Sequence, residues 1–190
     1  MKIRIALLLL FPIIFFSCEN DSFTPKPKGY FRIDLPIKEY HSLEKECPFT
    51  CKIPNYAVLK PNINNPNKPC WFDIVFENLN ASIYLSYKPI NDNLNQYFED
   101  SRSLAFKHTV KAFDIEQKLI SFPENKVYGL VYIIEGNAAS AYQFHLTDSA
   151  THFIRGSLYF NNLPNQDSIQ PVLEFIKEDI THMFETFEWK

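Results

Sequence analysis

In the run HLTDSATH, His145, Asp148 and His152 are the residues best placed by type and spacing to do chemistry. If Asp148-Ser149 turns a hairpin, the two imidazoles face each other across it, and two histidines with a carboxylate can hold zinc. The plainer reading is preferred: paired polar residues at a hairpin end are ordinarily solvated, and no metal is assigned. Asp114 with Glu116, and Glu178 with Asp179, are spaced as acid–base pairs. General acid–base work needs a desolvated group in a cleft, however, and neighbouring acids usually sit on solvated faces. His108 and His182 fall on helical segments with no fixed partner in view and read as surface or helix-end residues. No G-x-S-x-G, H-E-x-x-H, P-loop or G-x-G-x-x-G pattern occurs, and four glycines in the whole chain leave little material for phosphate-cradling loops. The expectation is a protein that is not an enzyme, with no catalytic residue and no cofactor.

The cysteines carry a different chemistry. Lys2 and Arg4 precede an apolar run from Ile5 to Phe16, and Ser17-Cys18 follows it. A charged start, an apolar stretch and a small residue at the cut form a signal peptide, here residues 1–17. The run is interrupted by Pro12 and falls short of the roughly 20 apolar residues a spanning helix requires. Cys18 stands where a lipoprotein signal peptidase leaves its acylated first residue, although Phe15 and Phe16 replace the usual leucine and small residue upstream. Cys18 is therefore the expected lipid attachment point, and two or three palmitate-type chains, at about 0.8 kcal/mol per buried methylene, hold a domain stably on a membrane. In an exported protein Cys47, Cys51 and Cys70 are possible disulfide partners, but three cysteines cannot all pair and spacing leaves the pairing open. Structural zinc is not expected there, because the C-x₂-C geometry is missing.

These groups need elements to position them. Residues 18–29, including Pro25, Pro27 and Gly29, read as a lipidated tether. Eight of the 13 prolines fall between Pro25 and Pro69, so residues 30–69 read as an extended Pro/Asn-rich segment packing on the domain, with regular structure beginning near Cys70. Alternation over Trp71–Glu77 and again at Ile83, Leu85 and Tyr87 predicts a β-hairpin. Asn91 or Asp92 then caps a helix through Leu94, Tyr97, Phe98, Leu104 and Ala105, ending near His108. Four strand-like segments follow, at 110–121, 126–135, 139–147 and 151–160, joined by short turns that favour an antiparallel meander. Ile169, Val172, Leu173, Ile176, Ile180, Met183, Phe184 and Phe187 form one apolar helical face, capped by Asp167 or Ser168, with Pro171 in the first turn.

The order β-β-α-β-β-β-β-α predicts an α+β domain at 70–190: an antiparallel sheet of about six strands covered by two helices. In element order alone it resembles the Mog1/PsbP-like arrangement. The net charge of −3 becomes −5 once Lys2 and Arg4 leave with the signal peptide, and the remaining Lys and Arg residues are scattered among acids. Nucleic acid is not an expected partner. Tyrosine and phenylalanine are dense from residue 142 to 160 and could line a groove or an interface, though such residues more often form the core.

KPKGYFRIDLP at 26–36, followed by Glu39-Tyr40, resembles the opening of the mature gliding motility lipoprotein GldD family. YKPI at 87–90, AFKHTVKAFDIE at 105–116, YQFHLTDSATHFIRGSLYF at 142–160 and FIKEDITHMFETFEW at 175–189 match the same family in order. The resemblance implies a cell-envelope lipoprotein required for gliding motility and tied to type IX secretion, exported and membrane-anchored by lipid. It implies no active site. Its expected partners are the membrane, through Cys18, and other gliding or secretion proteins. The favoured reading is a non-enzymatic structural or adaptor subunit docking through the tyrosine-rich sheet surface or the GYFRIDLP segment. Behind it stand a periplasmic or surface domain binding a small hydrophobic ligand and, last, a metal-dependent hydrolase using His145 or His152.

Overall fold

The computed structural model describes Gly29 and residues 32–190; the signal peptide, Cys18, Tyr30 and Phe31 lie outside the described residues. Residues 34–190 form one compact unit. Its framework is a seven-stranded antiparallel sheet in the order β4-β5-β6-β10-β9-β8-β7. The strands are β4 (Val58–Pro61), β5 (Trp71–Phe76), β6 (Ala81–Pro89), β7 (Ala112–Phe122), β8 (Val127–Gly136), β9 (Ser140–Thr147) and β10 (His152–Phe160). Helix α1 (Leu94–Phe106) follows β6, and α2 (Gln166–Glu185) follows β10.

Six of these strands are the expected ones. The last four run as a meander, and β10 then pairs with β6 from His152↔Pro89 to Phe160↔Ala81, joining the meander to the first hairpin. The seventh, β4, comes from the segment expected to be extended. That segment holds more regular structure than its prolines suggest: β1 (Tyr40–Ser42) pairs with β3 (Lys52–Pro54), and β2 (Phe49–Thr50) pairs with β11 (Glu188–Trp189). These are strands of two to four residues, too short to show an alternation.

The β5–β6 and β7–β8 hairpins turn in the same way. After Phe76 and after Phe122 the chain makes one turn of 3-10 helix, Glu77–Leu79 and Pro123–Asn125, and reverses on a left-handed residue, Asn80 at φ 51° and Lys126 at φ 52°. Two glycines have steric reasons. Gly136 lies at φ 120° where a Cβ would meet the Lys111 carbonyl at 2.6 Å. Gly156 pairs with Phe144, whose ring lies where a Cβ would be, so the aromatic covers the bare backbone.

The principal core lies between one face of the sheet and α2. Phe72, Ile74, Phe76, Ile83, Leu85, Phe144, Leu146 and Ile154 meet Leu173, Ile176, Ile180, Met183 and Phe184 there. Each large side chain so buried contributes roughly 1.5–3 kcal/mol over exposure. The residues of β1 to β3 close the same layer: Phe49, fully buried, stacks on Phe187 at 5.4 Å and on Phe72 at 6.3 Å. Helix α2 starts earlier than the apolar stripe implies. Asn165 caps it by accepting from the Ser168 amide, so Pro171 sits inside the helix instead of in its first turn. Helix α1 is capped at Asn93 without a side-chain hydrogen bond to the helix, while Asp92 is left-handed at φ 56°.

Candidate functional site

Alternation along β9 and β10 sends His145 and His152 to opposite faces of the sheet. His145 lies opposite Arg155, and Thr147 opposite Phe153, so these four share the face under α1, and His152 points to the other. His152 stacks on Trp189 at 5.2 Å, and its Nδ1 is 2.9 Å from the Tyr87 hydroxyl. The idea that the two imidazoles face each other across the hairpin is therefore corrected: they form no common ligand set. Asp148 is likewise committed to the turn. Its Oδ1 accepts from the amides of Ala150, Thr151 and His152, and its Oδ2 from the Thr151 hydroxyl. Partial burial alone would raise its pKa, but those hydrogen bonds outweigh burial and hold the carboxyl down at about 2. Among the described residues no group of three His, Cys, Asp or Glu side chains is placed to hold a metal ion.

The second acid pair also divides. Glu178 is exposed, while Asp179 is 2 % exposed and fully engaged. Lys38 Nζ donates to its Oδ1 at 2.7 Å, the Tyr40 hydroxyl to the same oxygen at 2.9 Å, and the Tyr56 hydroxyl to Oδ2. Burial, then the bond to Asp179, raises the pKa of both tyrosines well above the ordinary phenol value. Lys38 also donates to the Phe175 carbonyl and lies 3.9 Å above the Phe175 ring. A solvated acid pair was expected; instead Asp179 anchors the strands before Cys70 to α2. His182, read as unpartnered, packs on Tyr40 at 4.0 Å and has Glu185 within 3.9 Å. Among the described residues Asp114 accepts from the adjacent Ile115 amide alone, and Glu116 pairs with Lys118 in the open.

The cysteines resolve. Cys47 and Cys70 form a disulfide with their Cα atoms 5.6 Å apart, while Cys51 is a buried thiol whose pKa burial pushes up to about 12. Most of the dense aromatics prove to be core: Tyr142, Phe144 and Phe153 are buried. Tyr159 meets Tyr84 edge-on at 5.5 Å on the face that carries α1.

That face holds the least expected arrangement. Helix α1 covers only the middle of it, through Phe98, Ser101 and Ala105. Beneath it lie Gln143, His145, Arg155 and Ser157, with Gln143 opposite Ser157 and His145 opposite Arg155. The Arg155 guanidinium donates to Gln143 Oε1 at 2.5 Å and pairs with no carboxylate among the described residues. His145 is packed between Phe98 and Phe153, and burial, then the charge of Arg155, pulls its pKa down to about 4. Four buried polar atoms here lack a partner among the described residues: Ser101 Oγ, Gln143 Nε2, His145 Nδ1 and Ser157 Oγ. Ser101, Phe153 and Arg155 line a pocket of about 210 Å³ between α1 and the sheet, together with Lys88, Lys107 and Asp100. Of this cluster the linear sequence marks only His145, because its members are drawn from one helix and two strands.

Two further surfaces stand out. Trp71, Tyr87 and Tyr97 with Pro69 and Pro89 line an open cleft of about 530 Å³, where Lys68 lies 4.0 Å over Trp71 and Lys88 lies 4.7 Å over Tyr97. At the sheet margin β7 runs for 11 residues with β8 on one side and no strand on the other among the described residues. A bulge between Ala112 and Asp114 turns Phe113 outward; Phe113 is 86 % and Leu119 87 % exposed.

Fold and site together define an α+β domain with one apolar and one partly polar interior face. The chain belongs to a known family: it matches the gliding motility lipoprotein GldD over residues 20–189. A family of lipoproteins places it in the cell envelope, associated with a membrane. Among the described residues no helix is long and apolar enough to cross one. No curated protein matches the chain significantly.

Proposed function

We propose that the chain is a non-enzymatic adaptor subunit of the envelope machinery for gliding and type IX secretion. In this reading residues 1–17 are removed and Cys18 carries the lipid, so the domain rides on the membrane and offers a surface to a protein partner. The observation that carries it is β7. A long edge strand offers a row of unpaired N–H and C=O groups, and proteins normally blunt such an edge or cover it. Here Asp114, Glu116 and Lys118 keep it from indiscriminate pairing, while Phe113 and Leu119 supply the side-chain anchors that strand-addition interfaces use. The element order also supports a Mog1/PsbP-like arrangement.

The test is crosslinking and affinity isolation of the tagged lipoprotein from detergent-solubilised envelopes. Gliding or secretion proteins are expected to co-purify with the wild type and to be lost with Cys18→Ser and with Phe113→Glu/Leu119→Glu. Recovery of the protein alone overturns the reading. The cleft at Trp71, Tyr87 and Tyr97 favours a second one, a small hydrophobic ligand, which native mass spectrometry would detect as bound mass.

A further inference from the structure

Four buried polar atoms on α1 and the sheet face beneath it have no partner among the described residues and call for an explanation, since the large majority of such atoms in native proteins are hydrogen-bonded. The orientation of Gln143 does not remove the problem. Turning its amide would bring the NH₂ group against the Arg155 guanidinium, so the oxygen must face Arg155 and Nε2 is left over. Ser101 is 2 % exposed and is one of the residues lining the 210 Å³ pocket that Arg155 also lines, and its buried hydroxyl has no hydrogen-bond partner among the described residues. Three cations surround that pocket, Lys88, Lys107 and Arg155, against one carboxylate, Asp100. A guanidinium without a carboxylate partner is a fork of donors matched to an oxyanion.

From the unpartnered hydroxyl of one lining residue, Ser101, and from the pocket's excess of positive charge and its size, we infer that the pocket binds a single phosphate group. The charge chooses phosphate over carboxylate: a phosphate monoester carries about −1.5 to −2 at neutral pH, which matches three cations less one acid. Ser101 and Arg155 donate to the phosphate oxygens, and Lys88 and Lys107 close the rim as point charges. The group can come from free phosphate or from the headgroup of a membrane lipid, and the pocket chemistry is the same for both. This site stands apart from β7 and does not depend on the adaptor reading.

Isothermal titration of the full-length mature lipoprotein, in a non-phosphate detergent and buffer, separates the sources. Inorganic phosphate and dihexanoyl phosphatidate are the two probes. Stoichiometric binding of phosphate supports the site, and phosphatidate binding at least tenfold tighter assigns it to a lipid headgroup. Ser101→Ala and Lys107→Met each lose affinity, by about 10-fold or more for a lost hydrogen bond to a charged group. Arg155→Met abolishes binding. Ser101→Ala removes a hydroxyl with no partner among the described residues, so it folds even if Arg155→Met does not. Absence of heat with both probes, or wild-type affinity in Ser101→Ala and Lys107→Met, overturns the inference.

Discussion

Lys38 and Asp179, 141 residues apart in sequence, meet at 2.7 Å, and the carboxylate side chain between them is 1 % exposed. The pair is unequal. Lys38 keeps about a quarter of its side chain in water, whereas among the described residues Asp179 has Lys38, Tyr40 and Tyr56 to replace its hydration. Removing the lysine therefore strands a buried negative charge, which costs far more than the net worth of the pair. Lys38→Met is expected to lower the unfolding free energy by about 3 kcal/mol, read from the urea midpoint. Tyr56→Phe costs about 1–2 kcal/mol. In both variants limited proteolysis should reach the β1–β3 region before the sheet. Equal protease resistance in the variants would show that the contact does not hold that region down.

The Cys47–Cys70 bond closes a loop of 23 residues, and Cys47→Ala/Cys70→Ala is expected to cost about 3 kcal/mol. Cys51 behaves in the opposite way. Its buried, protonated thiol should resist iodoacetamide in the folded protein and react only in denaturant. Labelling of Cys51 under native conditions would mean that this layer opens.

His145 makes the protein acid-sensitive. Below pH 6.5 the unfolded chain gains a proton on this imidazole, but the folded protein does not until about pH 4. Stability is therefore lost as pH falls through that window, by about 3 kcal/mol at its end. His145→Phe in phosphate-free buffer should flatten the curve between those limits. Asp148 acts lower down: its folded pKa lies below the unfolded value of 3.8, so its contribution is present above that value and lost as pH falls toward 2.

Phe113→Glu/Leu119→Glu changes side chains that touch little within the chain, so stability should stay within about 0.5 kcal/mol of wild type. Under the adaptor reading partner capture is lost all the same. A matching fall in melting temperature would assign these residues to the fold instead.

The contrast between β9 and Asp179 shows what the sequence made legible. Segments long enough to alternate, such as Phe72, Ile74 and Phe76, revealed six strands, and a sustained helical stripe revealed α2. Strand β9 is buried on every residue because both faces are covered, so its polar members could not be sorted into sides. β4 ends on Pro61 and β2 has two residues; strands that short are set by their partners. Asp179 did carry a signal. It stands three residues after Ile176 and four before Met183, inside the apolar stripe, where an acid must be either paired or misplaced. The cluster around Arg155 carried none beyond His145, because register alone brings Ser157 opposite Gln143.

The final strand has a consequence for the order of events when the chain is made. Trp189 pairs with Phe49, stacks on His152 and donates to the Lys126 carbonyl, while the Phe187 carbonyl accepts from Asn125. The last residues thus join the earliest layer of the domain to the tips of two later hairpins. Chains emerge from the ribosome N-terminus first, and contacts so distant in sequence form slowly. β2 therefore gains its strand partner only once Trp189 has been made, whereas β1 and β3 can pair before it.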